Sequence, residues 1–600
     1  MAGPTGGRPP CPLPSTLDPM PAPEIALTER FQSAFVAAFG PEYADADPII
    51  RPSQFADFQC NAAMGLAKRL GRKPRDIAAE ILAAVDLEDV AETPEIAGPG
   101  FLNIRLRTDW VAAQAAELAE DEALGVPVPE HVDTVVIDYS APNVAKEMHV
   151  GHLRTTVVGD AIARTLEKLG HTVVRQNHIG DWGTPFGMLI EHLLDVGEDS
   201  DEAGLLTTDP NAFYQAARAK FDADPEATGF AARARARVAT LQSGDAESLR
   251  IWTDLVGMSK EYFHRIYDLL DVTLTDDDLA GESTYNADLE TVCAELEAAG
   301  LARISDGALC VFPQGFTGRD EQPLPLIVRK SDGGYGYATT DLAAVRRRVR
   351  ELGADRIAYV VGTSQELHLS MVAETAREAG WLPEDVEATH VKIGSVLGED
   401  GKILRTRSGA SLRLAALLEE AVAKARTVID ELRPDLPEDE RAQIARAIGI
   451  GGVKYADLST AHDSDYTFDL DRMLALTGNT APYLQYAVAR IRSIGRRAEA
   501  QGVTAAAVPL VENAAERALA LQLLQYGPVL AQVGAAYEPH RLAAYLFSLA
   551  QAFTAFYDAS PILKESDEGV RAGRLALARL TERVLVEGLD ALGVTAPQQM

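Results

Sequence analysis

The chain has 600 residues, which is enough for several domains with separate cores. It contains 56 lysines and arginines against 89 aspartates and glutamates, a formal net charge of −33, so broad electrostatic binding of a polyanion is not expected. No apolar run approaches the roughly 18 residues of a membrane span, and the 4 cysteines form no Cys-x-x-Cys pair. A membrane protein, a disulfide scaffold and a zinc site are therefore disfavoured, and a reducing cytoplasm is the expected location.

The N-terminal part is predicted to contain a leader and a small domain. Residues 1–24 are rich in proline and glycine and lack the apolar segment of a signal peptide, so they are predicted to be disordered. Residues 25–125 show helical patterns around one short strand within Gly98–Arg105, which predicts a separate α+β domain.

A strand–helix–strand unit is predicted to follow. Apolar residues at Val135–Tyr139 and Thr172–Gln176 predict two buried strands, and an amphipathic helical pattern lies between them. His149-Val-Gly-His152 therefore falls at a helix N-terminus, where free N–H groups and the helix dipole favour anions. Two imidazoles can donate to phosphate oxygens, and Gly151 leaves room for a flat ring, so this segment predicts an ATP site.

The rest of the chain is predicted to complete a catalytic domain and add a helical one. Within residues 126–435, a polar helical insertion at about 195–320 interrupts the sheet, and strands resume at Ile357–Val361 and His390–Ser395. Residues 436–600 show only helical patterns, which predicts an all-α domain. The fold class is therefore a multidomain α/β protein with a doubly wound parallel sheet.

Two groups of arginines stand out against the acidic background. The run Arg233–Arg237 is interpreted as a solvated helix face. Arg490, Arg492, Arg496 and Arg497 follow two tyrosines on one predicted helix, which favours contact with RNA.

Several segments resemble motifs of class I aminoacyl-tRNA synthetases, and specifically those of the arginyl enzymes. They are Ser140–Lys146, His149–His152, Arg175–Gly183, Tyr337–Asp341, Gly398–Lys402, Arg405–Gly409, Lys454–Leu458 and Asn479–Tyr486. The likeness covers nearly the whole chain after the first two dozen residues. It implies a Rossmann-like catalytic domain, an N-terminal domain that touches the tRNA elbow, and a C-terminal anticodon-binding domain.

The resemblance also implies a reaction. Arginine would be activated by ATP to arginyl-adenylate with release of pyrophosphate, and then transferred to the 3′ end of tRNA-Arg with release of AMP. ATP would enter with Mg²⁺ as a substrate, and no tightly bound cofactor or dedicated metal site is expected. The expected protein is a monomer that does not associate with membranes.

Catalytic and ATP-binding residues are carried over from the resemblance by position. His149, Gly151 and His152 would hold ATP, and Lys146 would place a cation beside the same phosphates. A loop at residues 401–409, which departs from the Lys-Met-Ser-Lys-Ser pattern of the class, would supply Lys402, Arg405 and Arg407 to pyrophosphate. On the adenosine side, the expected residues are Gln365 and His368.

Residues for arginine and tRNA are carried over in the same way. The arginine set is Asp138, Ser140, Asn143, Tyr337, Asp341 and Gln365, of which Ser140 and Asn143 can instead hold the amino and carboxylate ends. Asp341 is predicted to open a helix, so an N-terminal cap is its alternative role. The tRNA set is Asn103, Tyr483, Gln485, Tyr486, Arg490 and Met600. A turn hydrogen bond for Asn103 and core packing for the helical residues stay open as alternatives.

Two other functions stay open. Ala141, Pro185 and Thr460–His462 depart from the family pattern, which is compatible with a duplicated paralogue that has a resistance or specialised role. A non-catalytic tRNA-binding protein is the third possibility. The intact pair of histidines, together with Lys146 and Asp341, argues against it, because a scaffold does not need these groups.

Overall fold

The computed structural model describes residues 22–144, 146–224, 228–318, 321–331, 333–404 and 412–600. The described chain divides into two compact units. The first comprises the described part of Met1–Val128 together with Gly502–Pro528 and Ala555–Thr581, and the second comprises Pro129–Gln501, Val529–Thr554 and Glu582–Met600. Among the described residues, no helix combines the length and the apolar composition that crossing a bilayer requires.

The first unit begins with a small sheet and four helices. The strands are β1 (Ile50–Pro52), β2 (Phe58–Cys60), β3 (Glu95–Ala97) and β4 (Phe101–Ile104). The helices are α1 (Pro23–Phe39), α2 (Ala62–Leu70), α3 (Pro74–Ala84) and α4 (Thr108–Glu120). The sheet is antiparallel, with the strand order β1-β2-β4-β3.

The prediction of a single strand in this region is wrong. Only β4 matches the strand expected within Gly98–Arg105, because its side chains alternate between partly buried and buried positions. β1 and β3 are edge strands of three residues with mostly exposed or half-buried side chains, so they show no alternating pattern. Leu27, Phe31 and Phe35 recur every four residues on α1 and are buried in the core.

Nine strands follow in the described part of the chain. They are β5 (Thr134–Asp138), β6 (Thr172–Gln176), β7 (Ala302–Ser305), β8 (Ala308–Val311), β9 (Leu326–Arg329), β10 (Arg356–Gly362), β11 (Glu387–Ile393), β12 (Val396–Leu397) and β13 (Tyr466–Thr467). The order β11-β10-β5-β6 forms an all-parallel sheet, which confirms the predicted doubly wound architecture.

The following helices complete the chain. They are α5 (Val150–Lys168), α6 (Thr184–Val196), α7 (Leu205–Thr208), α8 (Pro210–Asp222), α9 (Phe230–Gln242), α10 (Ala246–Leu270), α11 (Leu289–Ala298), α12 (Tyr337–Arg350), α13 (Glu366–Glu378), α14 (Leu414–Leu432), α15 (Glu438–Leu458), α16 (Leu470–Met473), α17 (Ala481–Ala500), α18 (Ala514–Leu523), α19 (Tyr526–Ala536), α20 (Pro539–Ala559) and α21 (Glu568–Ala591). Short 3-10 helices occupy Pro41–Tyr43, Asp276–Asp278, Glu282–Tyr285 and Thr363–Gln365.

The parallel sheet fixes where a ligand can bind. The chain runs from β5 to β6 on one side and returns to β10 on the other, so the strand order reverses between β5 and β10. Val135, Val136 and Ile137 of β5 are fully buried, as expected for a central strand covered on both faces. Ligands of such sheets bind beyond the carboxyl ends of the strands at the reversal, which here is the end of β5 and β10.

Two further expectations are corrected. The region at about 195–320, predicted to be helical, contains α7–α11 but ends in β7 and β8, which pair with β9 as an antiparallel sheet. Arg303 and Ile304 of β7 are both exposed, so the strand lacks an alternating pattern. The C-terminal part, predicted to be entirely helical, contains β13, whose two residues pair with β12. A strand of this length has no detectable period.

Candidate active site

The two histidines form the start of α5 as predicted. His149 is the N-cap, and the backbone N–H of Gly151 donates to its Nδ1 at 3.1 Å. The backbone N–H of His149 donates in turn to Nδ1 of His152 at 3.1 Å. Because both Nδ1 atoms are acceptors, each neutral ring carries its proton on Nε2. The pair therefore offers two Nε2–H donors to a ligand.

Both imidazoles are neutral at physiological pH. Burial, with smaller contributions from His149 and Lys146, lowers the pKa of His152 to about 3. Burial and the Lys146 charge also lower the pKa of His149. The rings therefore stabilise charge on a phosphate as hydrogen-bond donors and not as cations. Gly151 is required by the histidine itself, because a Cβ there would lie 2.8 Å from Cε1 of His149.

Lys146 lies beside the histidines, in contact with an aromatic ring that the sequence analysis missed. Its Nζ lies 4.3 Å from the ring centroid of Tyr214 on α8, a cation–π contact. Partial burial, followed by the charges of Glu282 and Tyr214, raises the pKa of Tyr337. Tyr337 is therefore within electrostatic range of both Glu282 and Tyr214.

Both ends of the basic loop lie on described parts of the chain. Gly398 donates to the carbonyl of Lys402 at 2.8 Å, so Gly398–Lys402 forms a tight turn after β12, here called the Lys402 turn. Beyond the loop, Val150 donates to Leu412 and Leu414 donates to Met148, which joins that end to the start of α5. Arg405 and Arg407 lie outside the described residues.

The turn after β5 is strained and held by a buried network. Ser140 and Ala141 have φ of 70° and 47°, a conformation that residues other than glycine rarely adopt. The hydroxyls of Ser140 and Tyr267 lie 2.8 Å apart, and Asn177 donates to that Tyr267 hydroxyl at 2.9 Å. The Ser140 side chain is 2% exposed. It supports the turn, and it is not available as the predicted substrate ligand.

Asp138 also has an internal partner. Its Oδ2 accepts from Arg348 at 2.6 Å, and Arg348 also donates to Gln176 at 2.6 Å. Asp138 and Arg348 are 6% and 1% exposed. The carboxylate is therefore paired with Arg348 through Oδ2, while its Oδ1 has no hydrogen-bond partner among the described residues, and the predicted contact with a guanidinium stays a prediction. A pairing of residues on β5 and α12 has no local sequence signal.

Asp341 does not open its helix. α12 begins at Tyr337 with Gly336 as the N-cap, so Asp341 is its fifth residue and a capping role is wrong. Its Oδ2 lies 2.6 Å from Nε2 of His368 on α13. His368 is therefore engaged with the acid. The prediction that it lies on the adenosine side stays untested.

A third carboxylate near Asp341 was missed by the sequence analysis. Burial, followed by the negative charges of Asp181 and Asp341, raises the pKa of Glu282 to about 8. Asp181 is 4% exposed and accepts hydrogen bonds from Ser283. Three acids from different elements therefore approach one another, a strong attraction for a bound cation. Glu282 lies in a short 3-10 helix within the polar insertion, where an isolated acid gives no pattern to detect.

Asn143 lies in the turn that follows β5, and Gln365 lies in the short 3-10 helix that follows β10. Asn143 forms a parallel bridge with Gly180, and a Cβ at Gly180 would lie 2.4 Å from Asn143 Oδ1. The amide therefore rests against the glycine backbone. Gln365 ends the 3-10 helix that follows β10 and is exposed. Both residues lie at the edge of the sheet where the strand order reverses.

Replacement of Gly180 with alanine is expected to displace the Asn143 amide. If Asn143 contacts the amino acid as the resemblance implies, the KM for amino acid should rise roughly ten- to a hundredfold while affinity for tRNA stays unchanged, because only the positioning of the small substrate is disturbed. Steady-state kinetics measures the effect. Gly257→Ala on α10, where a Cβ would meet no atom within 4 Å, is the matched control. Equal KM values for the two variants would contradict the placement of Asn143.

The predicted tRNA residues divide into buried and accessible groups. Gln485 is 0% exposed and donates to the carbonyls of Ala447 and Thr595, so it is a packing residue and not a reader of bases. The Tyr483 ring packs 5.5 Å from that of Phe547. Tyr486 is 48% exposed, and Arg490 lies one turn further along α17.

Tyr486 and Met600 line the same groove. Its volume is about 280 Å³, and its walls include Lys424, Arg433 and apolar residues of α14 and α15. Arg433 donates to the backbone carbonyl of Met600 at 2.8 Å, which holds the chain end in place. In the first unit, Asn103 lies on β4 and its Oδ1 accepts from Gln59 at 2.7 Å.

Comparisons with known proteins match three parts of the chain. The family described as tRNA synthetases class I (R), catalytic domain, matches residues 115–470. The arginyl tRNA synthetase N terminal domain matches residues 26–106, and the DALR anticodon binding domain matches residues 484–600. The parallel sheet and the histidine pair therefore lie in a class I tRNA synthetase catalytic domain.

Similar full-length proteins agree with this class. An arginine–tRNA ligase of Thermobifida fusca is 65% identical over 96% of this chain and 100% of that protein, and one of Frankia casuarinae is 50% identical over 96% and 98%. The arginyl-tRNA synthetases of Plasmodium falciparum and Thermus thermophilus are each 26% identical, with TM-scores of 0.82 and 0.80. The match to the Plasmodium falciparum structure covers 98% of this chain and 100% of that protein, and the match to the Thermus thermophilus structure covers 96% and 99%. The chain belongs to the arginyl-tRNA synthetase family.

Proposed function

We propose that this chain, an arginine–tRNA ligase by its family, activates L-arginine with ATP and transfers it to tRNA-Arg. The assignment of arginine as the amino acid rests mainly on the acidic environment of Glu282. Burial and the charges of Asp181 and Asp341 raise the pKa of its carboxyl to about 8. Carboxylates in fixed positions are the groups that best bind a planar cation with five donors. The neutral histidine pair at the start of α5 supports the use of ATP.

The first step needs no protein nucleophile. A carboxylate oxygen of arginine attacks the α-phosphorus of ATP, and the bond to the β-phosphate oxygen breaks to release pyrophosphate. Negative charge grows on the phosphate oxygens during this step. The Nε2–H groups of His149 and His152 donate to these oxygens, and Lys146 and Lys402 balance the charge of the leaving group. Mg²⁺ accompanies ATP as part of the substrate.

The second step transfers arginine to RNA. A hydroxyl of the terminal tRNA ribose attacks the carbonyl carbon of arginyl-adenylate, and AMP leaves. The groove of Tyr486 and Met600, with Arg490 nearby, would receive the anticodon end, and Asn103 would contact the elbow. Tyr483 would support this surface by packing.

We assign the arginine contacts as follows. Asp341 and Glu282 bind the guanidinium, Tyr337 covers it, and Asn143 and Gln365 hold the amino and carboxylate ends. Asp138 and Ser140 position the turn after β5 through Arg348 and Tyr267. A site of this kind rejects neutral citrulline, because the acids are left without a cationic partner, and it matches lysine poorly, because an ammonium lacks the planar fork of donors.

The proposal extends to organisation and surroundings. Residues 25–125 form the elbow-binding domain, 126–435 the catalytic domain and 436–600 the anticodon-binding domain. The leader predicted for residues 1–24 overlaps with α1, which begins at Pro23. The enzyme acts as a monomer in the cytoplasm, without a tightly bound cofactor.

The raised pKa of Glu282 predicts a pH dependence of substrate binding. A bound guanidinium favours the ionised carboxylate, so arginine binding releases a proton when the pH lies below about 8. The KM for arginine should therefore fall as pH rises from about 6 to about 8, by up to about tenfold per unit, and then level off. Glu282→Gln should remove this dependence. A KM that is constant across the range in the wild-type enzyme would contradict the assignment.

ATP–pyrophosphate exchange tests the proposed reaction directly. Exchange should require arginine and should be measured with and without tRNA, since the family resemblance implies that bound tRNA is needed for activation. No exchange under either condition would favour a non-catalytic tRNA-binding protein. Exchange only with another amino acid would favour a specialised paralogue.

A further inference from the structure

A fully buried arginine on α5 connects the histidines with a distant part of the chain. Arg154 follows His152 by two residues and is 1% exposed. Its Nε donates to Asp457 at 2.9 Å, and Asp457 is 0% exposed. Its other nitrogens donate to the backbone carbonyls of Ser464 at 2.7 Å and Ala461 at 3.4 Å. One guanidinium therefore binds α15 and the segment that follows it.

Tyr466 completes this buried cluster. Its hydroxyl donates to Asp457 Oδ2 at 3.3 Å, and its ring centroid lies 5.2 Å from the guanidinium carbon of Arg154. Arg154, Asp457 and Tyr466 are here called the Arg154 cluster. A charge buried so completely is retained only when every polar atom finds a partner, so the geometry is strongly constrained.

The segment bound by Arg154 supports the strand that leads into the Lys402 turn. Gly394 donates to the carbonyl of His462 at 2.8 Å, and Tyr466 donates to the carbonyl of Ser395 at 3.2 Å. β13 then pairs in parallel with β12, which ends one residue before Gly398. The contact is close, because a Cβ on Gly394 would lie 2.7 Å from Ser464 and 3.0 Å from Arg154.

The start of α5 therefore reaches both ends of the basic loop. Met148 and Val150 bind Leu414 and Leu412 directly through backbone hydrogen bonds. Arg154 reaches the other end through Ser464, β13 and β12. The path runs from the buried Arg154 side chain through backbone hydrogen bonds and strand pairing on described residues, so Arg154 is physically connected to the turn that carries Lys402.

We propose that the Arg154 cluster is a positioning unit that holds the Lys402 turn in register with His149 and His152. The inference rests on the proposed function, because it assigns Lys402 and the histidines to one ATP. Arg154 does not touch the substrate. It acts on the ATP half of the site, and the acids that bind arginine are supported by other contacts.

Two conservative variants test the proposal by steady-state ATP–pyrophosphate exchange. Arg154→Lys keeps the charge but cannot reach Asp457 and two carbonyls together, and Tyr466→Phe removes one hydroxyl and keeps the ring. We expect Arg154→Lys to raise the KM for ATP about tenfold and to lower kcat, with the KM for arginine within about twofold of wild type. Tyr466→Phe should shift the same constants in the same direction by a smaller factor.

Arg164→Lys is the matched control. Arg164 lies on the same helix and pairs with buried Asp160 at 2.8 Å, but it lies further from the histidines along α5. This variant should melt at a lower temperature and keep the KM for ATP within about twofold of wild type. An equal rise in the KM for ATP in Arg164→Lys would show that any buried pair on α5 has this effect and would overturn the proposal.

A double-mutant cycle with Lys402→Ala identifies the path. If Arg154 acts through Lys402, the effects of the two changes on the KM for ATP will not multiply, and the double variant will resemble Lys402→Ala. Effects that multiply, or a Lys402→Ala variant with unchanged KM, would overturn the proposal. If Arg154→Lys does not fold, the cycle is measured with Tyr466→Phe. Failure of the wild-type enzyme to catalyse exchange would instead reject the proposed function.

Discussion

Replacement of His152 with alanine is expected to lower kcat for arginine activation about 10²- to 10³-fold. The reason is the position of the ring: its Nδ1 is occupied by the His149 backbone, so its only proton lies on Nε2 and is available to a phosphate. The loss should appear mainly in kcat, because the charge that the donor stabilises develops in the transition state. Single-turnover measurements of adenylate formation in the presence of tRNA give the constant.

The control for this variant is a histidine outside the site. His264 on α10 lies 3.0 Å from Asp276 and is partly exposed, so His264→Ala should leave kcat unchanged. Affinity for tRNA, measured by filter binding, should not change in either variant. A parallel loss of kcat and tRNA affinity in His152→Ala would indicate that the residue supports the fold and does not contact ATP.

Replacement of Asp341 with asparagine is expected to raise the KM for arginine about thirtyfold, the equivalent of about 2 kcal/mol. Asparagine keeps the size of the side chain and an acceptor for His368, whose Nε2 lies 2.6 Å from the carboxylate. The charge that pairs with the guanidinium is lost. Because Asp341 lies inside α12 and does not cap it, the melting temperature should change little.

Glu351→Gln at the end of the same helix is the matched control. Glu351 is the C-cap of α12 and pairs with Arg347 on the surface at 3.1 Å. Such a pair contributes little to stability, so neither the KM for arginine nor the melting temperature should change. A large fall in the melting temperature of Asp341→Asn, with an unchanged KM, would assign Asp341 to the fold.

The central sheet and the start of α5 were predictable because their signals are local. The apolar run of β5 is continuous, as burial on both faces requires, whereas β6 is an edge strand whose side chains are mostly half-buried. The structure places both strands within one residue of the predicted bounds. The histidine motif lies between them, so its position at the helix start followed from the same pattern. Strands of two or three residues such as β13 carry no period and were missed.

The arginine site could be predicted only in part, because its charges are arranged by tertiary contacts. The sequence does not show that Asp138 is paired with Arg348, which is 210 residues away. It gives equally little reason to select Glu282 from the other acids of the insertion. Only the folded chain brings Glu282 near Asp181 and Asp341, and the resulting rise of its pKa identifies it.

Three arginines of the two groups that stand out in the sequence are paired with acids within the fold. Arg233 pairs with Asp195 at 2.6 Å and Arg237 with Glu191 at 2.7 Å, so these residues join α9 to α6 and are not simply a solvated face. Arg492, expected to contact RNA, pairs with Glu582 at 2.8 Å and donates to carbonyls near the chain end. Clusters of arginine in an acidic chain therefore predict ion pairs as readily as a surface for nucleic acid.

Aminoacylation of total tRNA with each standard amino acid, and with citrulline, tests the central claim most directly. If the acids around Glu282 select a guanidinium, arginine alone will be attached to tRNA, and lysine and citrulline will not be attached at comparable concentrations. Efficient attachment of another amino acid, or of citrulline as readily as arginine, would contradict the claim that these carboxylates choose the substrate.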